Sequence, residues 1–191
     1  MLNFPLHTKD TAPEETHPHF DASLREFGMI PNLYGVMANA PPVLDAYRAI
    51  GALFMGGPTM TLDPTEQQVV LLATSYENQC SYCMGAHSAI AGMMNIDSGI
   101  VDALRDGTPI NDPKLEALRQ LAAAITQTRG WPNAAIVSNF LKAGYTQEQV
   151  LEVILGVTMK TLSNYVNHVA GTPLDEAFKP ATWIPPNKEV A

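Results

Sequence analysis

Helix-start signals recur along the chain, and they restrict it to a helical fold more strongly than any other feature. Asp63-Pro64-Thr65-Glu66 has the form of a capping box, with an acidic N-cap, Pro at the first helical position and Glu at the third. Thr146 and Gln149 form a second box, and Asp112-Pro113 and Asn133 open two more segments. Each start precedes apolar residues at helical spacing, and strand-like alternation is absent. The sequence therefore predicts an all-α fold.

The apolar spacing predicts further helices that open at Pro41, near Cys80 and at Asp97. In the last predicted helix we expect the core-facing stripe to consist of Val150, Ile154, Val157, Thr161 and Tyr165. His168 continues this stripe, which favours a buried histidine bonded to a neighbour.

Prolines are concentrated at both ends of the chain. They are Pro5, Pro13 and Pro18 at the start and Pro173, Pro180, Pro185 and Pro186 at the end. We therefore expect an extended N-terminal arm over 1–20, one helical domain over 21–171 and an extended C-terminal tail over 172–191.

Composition excludes several classes of partner. The formal net charge is −8 and the 11 basic residues are scattered, which argues against a nucleic-acid-binding surface. No apolar run is long enough to cross a bilayer, and the first ten residues lack the features of a signal peptide, so we expect a cytoplasmic protein. Hydrophobic residues make up 46% and charged residues 16%, a balance that favours self-association.

The two cysteines and a histidine form the strongest chemical signal. Cys80, Cys83 and His87 stand at positions i, i+3 and i+7, which fall within roughly 60° of one another on a helix. A nearby imidazole can take a thiol proton, and the unpaired N–H groups of a helix start stabilise a thiolate. Taken alone, the helix-start effect favours Cys80 as the nucleophile. The pattern indicates a redox-active thiol pair.

Two other uses of these cysteines stay open. A structural zinc site needs a fourth ligand, for which His168 is the distant candidate. Alternatively, both cysteines are small core residues. No haem, flavin or nicotinamide motif is visible, so we predict no cofactor and no metal.

Residues 62–94, LDPTEQQVVLLATSYENQCSYCMGAHSAIAGMM, and above all NQCSYCMGAHS at 78–88, resemble the carboxymuconolactone decarboxylase family in its alkylhydroperoxidase D-like branch. The resemblance implies a helical bundle that assembles as homotrimers or homohexamers. It also implies that Cys83 meets the peroxide, that Cys80 is the resolving thiol and that His87 belongs to a proton relay.

The chain departs from the branch at the far end of that relay. Gln68 stands where the well-studied hydroperoxidases have Glu, and an amide cannot exchange a proton at ordinary pH. Glu77 is a candidate substitute for the missing acid. Tyr82 stands between the cysteines, where those members can carry His.

The resemblance implies an oxidoreductase, a thiol peroxidase that reduces hydrogen peroxide or organic hydroperoxides. Its electrons would come from an external thiol, either a lipoyl group or a thioredoxin-like protein. Two alternatives are a lyase that uses His87 as acid or base, and a non-enzymatic oligomer whose disulfide senses redox state.

Overall fold

The computed structural model describes residues 2–186. Its α-helices are α1 His17–Phe27, α2 Asn32–Met37, α3 Pro41–Gly56, α4 Pro64–Glu77, α5 Ser81–Met93, α6 Ser98–Asp106, α7 Pro113–Gln127, α8 Ala134–Lys142 and α9 Gln147–Ala170. Two 3-10 helices, Glu14–Thr16 and Glu176–Ala181, flank them. Residues 2–186 contain no strand, so the all-α prediction is confirmed.

The predicted helix starts are confirmed where capping chemistry defined them. The Asp63 side chain accepts from the Glu66 amide, and the Glu66 side chain accepts from the Asp63 amide. Thr146 and Gln149 make the same reciprocal pair at the start of α9.

Helix α4 is the centre of the bundle. Every residue from Glu66 to Ser75 is buried, so the helix is covered on all sides along most of its length. Helices α5, α6, α7 and α9 pack around it. The cysteine-bearing helix α5 is thus held between the central helix and α9.

The N-terminal segment is only partly extended. A 3-10 helix begins at Glu14 and α1 begins at His17, with Pro18 in its first turn, where a missing N–H is tolerated. Phe20, at the end of the predicted arm, is fully buried. The interpretation of 14–20 as an extended arm is therefore wrong, because these residues are helical and Pro18 is accommodated in the first turn of α1.

The C-terminal tail is also partly helical, and the described part packs on its own chain. Arg105 of α6 donates to the carbonyl oxygens of Ala181 and Thr182 at 3.0 and 2.9 Å, and Trp183 Nε1 donates to Arg105 O at 2.9 Å. The expectation of an extended tail is wrong over Glu176–Ala181. Residues 172–175 and 182–185 contain neither helix nor strand, and residues 187–191 of the predicted tail lie outside the described residues.

Helix α9 contacts the core through only part of the apolar stripe that its sequence predicts. Val157 is buried and Val150 packs against the core, whereas Ile154 and Tyr165 are 42% and 57% exposed. The buried face includes six polar side chains: Gln149, Glu152, Lys160, Ser163, Asn164 and Asn167. His168 is exposed, so its prediction as a core residue is wrong. Among residues 2–186, no helix combines the length and apolar character that a bilayer crossing needs.

Candidate active site

The cysteine motif begins in the tight turn that joins α4 to α5. The Cys80 amide donates to Ser75 O at 2.9 Å and the Gln79 amide donates to Tyr76 O, which closes α4 with a Schellman motif. Gln79 adopts a left-handed conformation with φ 54°, which reverses the chain direction. Cys80 is consequently the N-cap of α5, and Cys83 lies in the first turn of that helix.

Both thiols are free and buried, each with 1% of its surface exposed. They lie within hydrogen-bonding reach of each other. Asn167 Nδ2 of α9 donates to Cys83 Sγ at 3.2 Å and lies 4.0 Å from Cys80 Sγ. Ser163 Oγ, also on α9, lies 3.6 Å from Cys83 Sγ. The polar face of α9 therefore surrounds Cys83 more closely than Cys80.

The two thiols are pushed toward opposite protonation states. Burial acts to raise the pKa of Cys83, but the hydrogen bond from Cys80 and the charge of Lys160 outweigh it and lower this pKa to about 6. The same Cys80–Cys83 hydrogen bond, together with burial, raises the pKa of Cys80. A thiolate at Cys83 beside a protonated thiol at Cys80 suits a nucleophile and its resolving partner.

His87 is held by two side chains. Its Nδ1 lies 2.9 Å from Gln68 Oε1, and its Nε2 lies 2.5 Å from Lys160 Nζ. An ammonium group only donates, so Nε2 accepts and Nδ1 carries the hydrogen that is donated to Gln68. Burial and the charge of Lys160 hold the pKa of His87 well below its usual range. Gln68 therefore fixes the ring of a neutral imidazole from the position that carries Glu in the resembling branch.

Comparison with solved structures places this site in a known fold. A peroxidase-related protein from Ralstonia eutropha JMP134, described as an alkylhydroperoxidase AhpD core, superimposes with a TM-score of 0.82, covers 92% of this chain and 93% of its own, and is 21% identical. This chain has the alkylhydroperoxidase D fold.

Two further proteins share the alkylhydroperoxidase D fold. A peroxidase-related protein from Silicibacter sp. TM1040 matches with a TM-score of 0.75 and 20% identity, covering 93% of this chain and 92% of its own. A variant of the debrominase Bmp8, in complex with 2,3,4-tribromopyrrole, matches at 0.78 and 16% identity, covering 95% of both chains. No protein-family model matches the sequence, and the search of curated proteins gave no match. The fold thus occurs both in peroxidase-related proteins and in a debrominase.

On this alkylhydroperoxidase D scaffold, Tyr82 points away from the thiols toward the tail. Its hydroxyl donates to Asp175 Oδ2 at 2.6 Å and accepts from the Leu33 amide at 3.2 Å. Asp175 also accepts from the Asn32 amide at 2.9 Å. Tyr82 therefore ties the cysteine helix to α2 and to the tail.

Glu77, the candidate substitute acid, lies away from the thiols. It accepts from Gln127 Nε2 of α7 at 2.7 Å, and none of its described contacts reaches Cys80, Cys83 or His87. His168, considered as a zinc ligand, packs its ring against Tyr165 with centroids 6.5 Å apart. Within residues 2–186, no group of three or more His, Cys, Asp or Glu side chains is placed to hold a metal ion.

Two side chains that the sequence did not indicate also belong to the site. Lys160 is 1% exposed, and Tyr47 of α3 is close enough to Ser163 and both cysteines for them to affect the pKa of its phenol. Tyr47 also lines a cavity of about 250 Å³, together with Tyr34, Arg48, Met55 and Met159. Neither cysteine lines this cavity, and Tyr47 is the residue that connects it to the thiol site.

Proposed function

We propose that this protein is a dithiol-dependent peroxidase that reduces hydrogen peroxide or organic hydroperoxides through Cys80 and Cys83. The observation that carries the proposal is the buried pair of thiols whose pKa values are driven apart, with Cys83 lowered to about 6 and Cys80 raised. At neutral pH such a pair holds one nucleophile and one protonated thiol ready to resolve the intermediate.

The reaction proceeds in two steps. The Cys83 thiolate attacks the outer peroxide oxygen, the O–O bond breaks, and Cys83 becomes a sulfenic acid while an alkoxide or hydroxide leaves with a proton supplied by the site. The Cys80 thiol then displaces water from the sulfenic acid and forms the Cys80–Cys83 disulfide. Asn167 Oδ1 is buried and has no hydrogen-bond partner among the described residues, so it is available to accept from a peroxide hydroxyl.

An external dithiol resets the pair by thiol–disulfide exchange. Because each cysteine is only 1% exposed, a slim dithiol such as a lipoyl group reaches the sulfurs more easily than the face of a thioredoxin-like protein. His87 contributes by holding Lys160, and Gln68 holds His87.

The test is steady-state consumption of cumene hydroperoxide and of hydrogen peroxide with dihydrolipoamide as reductant. We expect turnover in the wild type, none in Cys83→Ser, and in Cys80→Ser one sulfenic acid per chain, trapped with dimedone, without turnover. Ser81→Ala is the matched control, because Ser81 is exposed on the same helix. Full turnover in Cys83→Ser would falsify the mechanism.

The same experiment separates the two alternatives. A lyase that uses His87 would retain its activity in a variant with both cysteines replaced by Ser. A redox-sensing oligomer would lose two thiols on oxidation and change its size, without multiple turnovers.

Reductive debromination is a second candidate, favoured by the match to the debrominase Bmp8 over 95% of this chain. Two thiols can convert a C–Br bond into C–H with release of HBr while they form a disulfide, so the same pair supplies both electrons. Bromide release from brominated pyrroles in the presence of dihydrolipoamide tests it. Release that depends on Cys83, together with absent peroxide turnover, would favour this candidate over the peroxidase.

A further inference from the structure

Lys160 is a buried amine without an acidic partner among the described residues. It lies in the middle of α9 with 1% of its surface exposed, and its Nζ contacts His87 Nε2 at 2.5 Å. None of the ion pairs within residues 2–186 includes it. A buried ammonium is unfavourable by several kcal/mol unless an anion lies nearby. The site must therefore supply a negative charge or leave the amine neutral.

Among the titratable groups that face Lys160, one can be negatively charged at neutral pH. They are Cys80, Cys83 and His87 from α5 and Tyr34 from α2. Burial raises the pKa of Tyr34 to about 12 and lowers that of His87, so both are neutral at pH 7. Hydrogen bonding to Cys83 raises the pKa of Cys80. Only Cys83 is placed to be anionic.

The geometry of α9 directs Lys160 to the same side as the groups that bind Cys83. Lys160, Ser163 and Asn167 stand at i, i+3 and i+7, on one face of the helix. Ser163 Oγ donates to Lys160 O at 2.9 Å and lies 3.6 Å from Cys83 Sγ, and Asn167 donates to the same sulfur. His87 then holds the ammonium from the other side.

We propose that Lys160 is the counterion of the Cys83 thiolate in the reduced protein and gives up its proton when Cys83 is oxidised, so that the amine is neutral in the disulfide form. Oxidation of Cys83 removes the anion but leaves Lys160 buried, so the charged amine loses its compensation at that step. Burial lowers the pKa of Lys160, and the charges of Cys83 and Cys80, followed by that of Tyr34, raise it.

This proton exchange balances the peroxidase cycle. The role of Lys160 in that cycle rests on the proposed function, but the number of protons taken up on reduction does not. The Cys83 thiolate and a hydroperoxide give the sulfenic acid and an alkoxide, which takes a proton from the Lys160 ammonium and leaves as an alcohol. The Cys80 thiol and the sulfenic acid then give the disulfide and water. Reduction by an external dithiol returns both thiols, and Cys83 passes its proton to the Lys160 amine.

The decisive measurement is the midpoint potential of the thiol pair in the wild-type protein as a function of pH, equilibrated with dithiothreitol. Each proton taken up with the two electrons changes the equilibrium constant tenfold per pH unit, which is about 30 mV. Between pH 7 and pH 8 one proton goes to Cys80, and Cys83 remains a thiolate. We expect a second proton, on Lys160, and therefore a slope of about 60 mV per pH unit.

Two variants identify the group that takes the second proton. Lys160→Arg keeps a charge that cannot be lost, so the slope should fall by half while Cys83 still reacts with iodoacetamide at acidic pH. Lys160→Met removes the charge and should slow this reaction at pH 6.5 by tenfold or more. Lys142→Met, at an exposed position on α8, is the charge-matched control and should change neither quantity.

Each alternative outcome overturns the proposal. A one-proton slope in the wild type means that Lys160 does not change its protonation state, and this result needs no variant to fold. A two-proton slope that persists in Lys160→Arg assigns the proton to another group. This measurement uses no peroxide, so it is independent of the proposed function. A two-proton slope in a protein without peroxide turnover would support the role of Lys160 and reject the peroxidase. A one-proton slope in a protein with peroxide turnover would support the peroxidase and reject the role of Lys160.

Discussion

At the scale of single residues, the two thiols differ because of the side chains that each one meets rather than because of their position in the helix. Helix-start stabilisation acts most strongly on Cys80, which is the N-cap of α5. Cys80 nevertheless donates its hydrogen bond to Cys83, whereas Cys83 receives the Asn167 amide and the field of Lys160. Specific donors and a buried charge outweigh the helix terminus here.

The contribution of Asn167 can be measured through the pH dependence of Cys83 alkylation. Iodoacetamide reacts with the thiolate, so the rate should rise with pH to half its maximum where the pH equals the Cys83 pKa of about 6. Asn167→Ala removes a hydrogen bond to a charged group, worth about 1.5–3 kcal/mol, and should move this midpoint upward by about 1–2 pH units.

Asn139→Ala is the matched control, because Asn139 is an exposed residue of α8. Its midpoint should equal that of the wild type. An unchanged midpoint in Asn167→Ala would mean that the amide positions the sulfur without stabilising its charge.

The part of the site that lies within one stretch of sequence was predictable, and the part that lies on α9 was not. Cys80, Cys83 and His87 follow one another at the start and along the length of α5. A capping box sets the first residue of α4, the helix that carries Gln68. Lys160 is separated from His87 by 73 residues, and an isolated lysine in a helix is usually solvated. A signal was present nonetheless, because Lys160, Ser163, Asn164 and Asn167 form a polar stripe at helical spacing.

At the scale of elements, capping chemistry gave reliable helix starts, whereas short or fully buried helices left no pattern. Helix α2 has six residues and buries five of them, so it shows no amphipathic period to detect. Prolines at the chain ends also gave an ambiguous signal. Pro18 stands in the first turn of α1, where proline is as acceptable as in an extended segment.

The contact between Tyr82 and Asp175 predicts how strongly the tail supports the cysteine helix. Tyr82→Phe removes the donor at 2.6 Å and leaves a buried carboxylate with the Asn32 amide as its remaining described partner. We expect the free energy of unfolding, measured with urea, to fall by about 1–3 kcal/mol.

Tyr165→Phe supplies the comparison for this variant, since Tyr165 is 57% exposed on α9. It should change the stability by less than about 0.5 kcal/mol. Equal stabilities for Tyr82→Phe and the wild type would show that water replaces the phenol at Asp175 and that the tail is held by Arg105 and Trp183.

At the scale of the whole molecule, two α9 positions that were expected to face the core, Ile154 and Tyr165, lie on the surface of the single chain. With Leu151 and Val169 they form an exposed apolar stripe of two pairs, which stand about three turns apart on one side of the helix, and each of the four residues is more than 40% exposed. Exposed apolar residues on one side of a surface helix often mark a contact with another chain. The expectation that Ile154 and Tyr165 pack on the core of their own chain is therefore wrong.

We propose that copies of the chain associate through this stripe on α9. Homotrimers or homohexamers are the assemblies that the resemblance to the alkylhydroperoxidase D-like branch implies. Ile154→Glu places a charge in the middle of the stripe, where a second copy would have to bury it, and should lower the mass measured by light scattering to that of one chain. Trp131→Glu changes an apolar residue that is 84% exposed in the connection between α7 and α8, and it should leave the assembly intact. If Trp131→Glu dissociates the assembly and Ile154→Glu does not, the contact lies at the connection between α7 and α8. If the wild type is monomeric, copies of the chain do not associate through the α9 stripe.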